Sequence, residues 1–112
     1  MANKIDINKL VTVKTVIISN LHINGVDDGE VLSKHQYYEF ENGSHGMYWI
    51  NGTAGGWIIR VHACPCFVDE LKRIGLAETT IDNIKALAAL GFDAIQFDCD
   101  GDEVDGLHGT EW

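Results

Sequence analysis

Positive charge is scarce in this chain. Eight lysines and arginines stand against seventeen aspartates and glutamates in 112 residues, none of the eight follows Lys85, and the formal charge is −9. Binding to nucleic acid needs clustered cations against phosphates, so direct nucleic-acid binding is not expected and a basic protein surface is the better-matched partner. Cysteine is scarce as well. Three is an odd count, and the opening residues Met1-Ala2-Asn3-Lys4-Ile5-Asp6 lack the apolar core of an export signal. Reduced thiols and a cytoplasmic location are therefore expected rather than a disulfide framework. No run approaches the ~18 to 20 apolar residues that span a bilayer, so no membrane role is expected. Internal repeats and low-complexity tracts are missing too.

What remains is ordinary for a folded chain. The hydrophobic share of 46% supplies enough apolar surface to offset chain entropy, and 112 residues match one compact core. A single domain over residues 1–112 is expected, with residues 1–10 as an N-terminal arm. Residues Val11 to Ser19 are dense in β-branched side chains and predict a buried strand. A short helix is expected over Asp27 to His35, weakened by Gly29. Gln36 to Glu41 and Met47 to Ile50, joined by Asn42-Gly43-Ser44-His45-Gly46, predict an aromatic hairpin. After a turn at Asn51 to Gly56, Trp57 to Val61 would complete an antiparallel meander.

Helix signals follow. Pro65 suits a first helical position, Lys72 and Arg73 suit a last turn, and Gly75 suits the left-handed residue that closes a helix, so Pro65 to Ile74 is expected helical. Thr79 and Asp82 resemble a capping pair for a second helix whose Ile81, Ile84, Leu87 and Ala88 recur at helical spacing until Gly91. A last strand, Ala94 to Phe97, follows. The expected class is α+β: a small single-domain sandwich with a mainly antiparallel sheet of about five strands and two or three helices mostly on one face.

Chemistry concentrates after that last strand. Asp93, Asp98, Asp100, Asp102, Glu103, Asp105 and Glu111 place seven of the seventeen acidic residues in the final twenty-one. Phe97-Asp98-Cys99-Asp100-Gly101 imitates the Asp-x-Asp-Gly nucleophile motif of haloacid-dehalogenase-like phosphatases, but only eleven residues follow Gly101, whereas that chemistry needs later strands to supply a lysine and more carboxylates. Asp98 and Asp100 could hold a hard cation, although the spacing does not fit a calcium loop: with Asp98 first, Gly101 falls too early and Gly109 occupies the twelfth position. His62, Cys64 and Cys66, with distant Cys99 and His108, are zinc ligands in kind, but one proline between two cysteines is the wrong spacing. Burial of the cysteines as small apolar residues is the expectation. His22, just past the first strand, suits proton transfer near neutral pH, or a simpler bond to a backbone carbonyl.

The segment Ile17-Ile18-Ser19-Asn20-Leu21-His22-Ile23, the Gly46-Met47-Tyr48-Trp49 turn and the ending Gly91 to Leu107 with Glu111-Trp112 together resemble a family of small uncharacterised proteins carried on bacterial plasmids and other mobile elements. Its members commonly end in an apolar strand, Asp-x-Asp-Gly, a Val-Asp-Gly-Leu-like segment and an acidic-Trp terminus. His108 stands where the family usually has proline. The resemblance implies a mobile-element setting, where accessory genes serve defence, counter-defence or maintenance, and no mechanism. The functional expectation is a non-enzymatic acidic protein, monomer or homodimer and without a cofactor, that docks a basic surface through Asp98, Asp100, Asp102, Glu103, Asp105 and Trp112, in an anti-restriction or anti-CRISPR-like role. The alternative is a small metal-dependent enzyme with Asp98 and Asp100 on the metal and His22 handling protons.

Overall fold

Strand β1 (Thr15–Ser19) and strand β4 (Ala94–Asp98) lie side by side and parallel, although most of the chain separates them. The computed structural model describes residues 4–23, 25, 27–34 and 48–109. Within them the sheet has four strands in the order β1-β4-β3-β2, with β2 at Ile50–Thr53 and β3 at Gly56–Ile59. The β2-β3 and β3-β4 pairs are antiparallel. The sheet is therefore mixed, and the expected count of about five strands becomes four among the described residues. The hairpin strand expected at Gln36 to Glu41, its turn and Met47 lie outside them.

Alternation explains which face is buried. The register aligns Val16, Ile95, Ile59 and Ile50 across one row and Ile18, Phe97 and Trp57 across the next. Most of these side chains are buried, and Val16 packs at the margin. The turn between β2 and β3 is shorter than the Asn51 to Gly56 loop expected: Asn51 to Thr53 belong to β2, which leaves Ala54-Gly55 as a two-residue connection that twists with its strands.

Helix α1 spans Phe67–Ile74 and closes on Gly75 in the left-handed conformation (φ 93°), as its sequence signals indicate. It starts two residues later than Pro65, with Cys66 as its first cap. Helix α2 spans Glu78–Ala89 and starts one residue before Thr79, so the Thr79 and Asp82 capping pair does not form; Ala77 precedes the helix and offers no side-chain cap. Leu71, Ile74, Leu76, Ile81, Ile84 and Leu87 join the inward sheet residues in one apolar cluster. The short helix expected after Asp27 is present as a π-helical stretch, Asp27–Leu32, that buries Leu32. No helix among the described residues is long and apolar enough to cross a membrane.

The strand expected from Val11 starts only at Thr15. Its partner β4 starts at Ala94, so residues 11–14 have no strand beside them. Lys14 is the last tie: its N–H donates to the Asp93 carboxylate at 2.8 Å and its carbonyl accepts from Asp93 and Ala94. Before it, the arm carries one short turn, Ile7–Lys9, and residues 4–11 are exposed.

Candidate functional site

Beyond β4 the chain makes a tight turn and then runs back past the end of β1. The turn is held by Asp98, whose carboxylate accepts the Asp100 N–H at 2.8 Å and the Gln96 amide at 3.2 Å, while the Cys99 N–H donates to the Gly55 carbonyl. Gly101 then lies on the peptide between Ile18 and Ser19. A Cβ at that position would overlap the Ile18 carbonyl and come within 2.8 Å of the Ser19 nitrogen, so only glycine allows this approach. One residue on, the Asp102 carbonyl accepts the Ser19 N–H at 2.9 Å. We term residues 99–109 the strap.

His22 fastens the strap's far half. The side chain is only 4% exposed. Its Nε2 lies 2.9 Å from the Val104 nitrogen, and since an amide N–H can only donate, Nε2 is the bare acceptor. Nδ1 then carries the hydrogen and donates to the His108 carbonyl at 2.8 Å. Both ring nitrogens are thus spent on backbone. This is the carbonyl-bonding role, and proton transfer by His22 would first have to break one of these bonds.

Asn83, on α2 and 2% exposed, completes the knot. Its amide nitrogen donates to the carbonyls of His22 and His108, each at 2.9 Å, and its carbonyl accepts the His108 N–H at 2.8 Å. One side chain therefore joins helix, strand end and strap. Sequence reading missed Asn83. Its signal was a lone amide inside the buried stripe of Thr80, Ile81, Ile84 and Leu87, where an amide needs partners.

The result is an acidic run displayed on a fixed backbone. Asp100, Asp102, Glu103 and Asp105 are exposed and Asp98 is half-buried. Among the described residues Arg73 pairs with Glu70 and His108 lies 3.6 Å from Asp82, and no ion pair joins a strap carboxylate to a lysine or arginine. Trp112 lies outside the described residues. Asp98, Cys99 and Asp100 bring one ligand atom each within 4.8 Å of one another, which makes them a candidate cation group, though Asp98 already accepts two hydrogen bonds. Among the described residues, a cavity of about 340 Å³ beside the Gly52 to Trp57 turn is lined by Ser33 and by the turn itself, none of them ionisable.

The cysteines depart from expectation. Cys64 is buried, but Cys66 and Cys99 are exposed, because Cys66 caps the start of α1 at the surface and Cys99 occupies the tip of the turn after β4. The Cys64 and Cys66 sulfurs are 3.9 Å apart. Burial, then the neighbouring Cys66 thiol, push the Cys64 thiol above its ordinary pKa. The protonated form is a poor nucleophile. Titration of the native protein with a thiol reagent near neutral pH should therefore label Cys66 and Cys99 quickly and Cys64 only on unfolding; peptide mapping showing Cys64 labelled first would contradict this. His62 instead lies with its Nδ1 3.0 Å from the Asp93 carbonyl.

Comparison with curated proteins and with solved structures gives no significant match. Residues 15–112, from the first residue of β1 onward, match the family described as "Family of unknown function (DUF5983) C-terminal domain", and the chain belongs to that family.

Proposed function

We propose that this protein is a non-enzymatic docking module whose strap presents Asp98, Asp100, Asp102, Glu103 and Asp105 to a basic protein surface. The observation that carries the reading is the pinning of the strap by Ser19, His22 and Asn83, which holds uncompensated carboxylates in a fixed array. A preorganised array loses less conformational entropy on binding than a mobile acidic tail and steers cationic partners by long-range attraction. The setting we propose is a plasmid or other mobile element, with the basic surface being the nucleic-acid-binding site of a restriction or CRISPR component and the role one of counter-defence.

The competing reading, a metal-dependent enzyme built on Asp98 and Asp100 with His22, draws on the 4.8 Å grouping around Asp98. The imidazole it assigns to proton transfer is held at both nitrogens by backbone, which weighs against it.

The test is capture at low salt with Asp100→Asn, Asp102→Asn, Glu103→Gln and Asp105→Asn combined. These side chains are exposed, so the fold should survive and affinity for the captured basic protein should fall about tenfold or more, as should wild-type affinity in high salt. Undiminished capture by the folded variant would sink the proposal.

A further inference from the structure

We infer that the protein forms a homodimer by antiparallel pairing of the β1 edges, with each N-terminal arm laid toward the strap of the other copy. The starting point is the unused strand pattern. Val11, Val13 and Ile17 are 96%, 48% and 57% exposed, and by alternation they would share one side of β1 if pairing extended the strand back through residues 11–14. Among the described residues β1 is an edge of the sheet. It reads Thr-Val-Ile-Ile-Ser, with none of the charges or prolines that normally blunt an edge.

Backbone parity shows which groups are on offer. In a parallel pair the N–H and C=O of alternate residues face the partner strand. Lys14 faces β4, since its carbonyl accepts from Asp93 and Ala94, whereas the Ser19 N–H points the other way, to Asp102. Odd-numbered residues therefore face outward. The strap seals that edge at Ser19 and leaves the rungs at Val13, Thr15 and Ile17. Pairing about a two-fold axis at Thr15 sets Val13 of each copy opposite Ile17 of the other, so that apolar side chains meet across the axis on the outer face.

Charge supplies the rest of the fit. Residues 4–14 hold three lysines and one aspartate, a net +2, which leaves −11 on the remainder of a −9 chain. In the antiparallel arrangement the arm continues past the Ser19 end of the second copy's β1, where that copy's Asp100, Asp102 and Glu103 lie. Lys4 and Lys9 are exposed and travel with it. The surface is thus complementary to itself, which selects a second copy over any other occupant. The arm of the second copy and a basic partner compete for the same carboxylates, so self-pairing is measured with the purified chain alone, where its failure is distinct from a failure of capture.

Sedimentation equilibrium of the full chain at up to roughly 100 μM should show a dimer, a modest affinity in line with a small interface. Val13→Pro deletes an outward N–H at a position outside every regular element, and Ile17→Lys puts a charge on the exposed face; each should raise the dissociation constant about tenfold or more with an unchanged circular dichroism spectrum. The double variant Lys4→Glu, Lys9→Glu should shift it in the same direction. A monomeric wild type, or a dimer that survives any of these three changes, overturns the arrangement.

Discussion

Asn83→Ala should destabilise the protein by about 3 kcal/mol, read from the urea midpoint with an unchanged slope. The residue makes three hydrogen bonds while nearly fully buried, and each is worth about 1 kcal/mol net. The larger part of the cost lies in what is left behind: the His108 carbonyl and N–H lose a partner at a part-buried position, and the His22 carbonyl loses its partner in a buried one. Asn83→Leu separates this from cavity formation. It fills the volume but satisfies none of the three groups, so it should cost nearly as much as alanine. A loss below about 0.5 kcal/mol for both variants would show that the knot is dispensable. Against a typical total of about 5 to 15 kcal/mol, the expected loss is large for a single amide.

Gly101→Ala should be comparably severe, at about 2 to 4 kcal/mol, for a reason unrelated to hydrogen-bond number. The added methyl group meets the Ile18–Ser19 peptide, which is strand backbone and cannot rotate aside. Either β1 shifts against β4, disturbing the Ile18–Phe97 and Ser19–Asp98 register, or the strap lifts and the Ser19 N–H loses Asp102. Hydrogen exchange at the Ser19 amide distinguishes these, since only the second leaves it unprotected. Gly109→Ala is the matched control in the same strap, with nothing within 4 Å of the added carbon, and should be nearly neutral. Equal stability of the two variants would mean that the strap does not rest on β1. Because neither Asn83→Ala nor Gly101→Ala alters the acidic side chains, both also ask whether docking depends on holding the carboxylates still.

Much of the architecture was legible because it rests on local pattern. The β-branched run before Asn20, the apolar stripe from Ile81 to Leu87, Gly75 and the strand ahead of Asp98 each announce themselves within a window of a few residues. What was not legible depends on partners distant in the chain. The parallel pairing of β1 with β4 decides where β1 begins, and that truncates the apparent strand at Val11 to Thr15. The acidic cluster was visible as composition, but its display was not, because the groups that fix it are backbone amides and carbonyls, which every residue carries. Asn83 was overlooked because polar residues inside a helix ordinarily face solvent; here the amide replaces an apolar contact with a bond to the strap. His22 was correctly placed at a strand end, and only the structure shows both of its nitrogens committed.

The parallel pairing also sets an order of events during synthesis. Lys14 and Asp93, bonded in the finished fold, are 79 residues apart, and His22 waits 82 residues for Val104. A ribosome adding about 5 to 20 residues per second makes β1 several seconds before its neighbour strand exists. During that interval Thr-Val-Ile-Ile-Ser is an unprotected strand on a nascent chain, and the glycine and carbonyl that cover its end are made later still. Native packing of the first strand therefore waits for β4, and a codon change that slows the ribosome between Ser19 and Ala94 lengthens the time in which that strand can pair with the wrong neighbour.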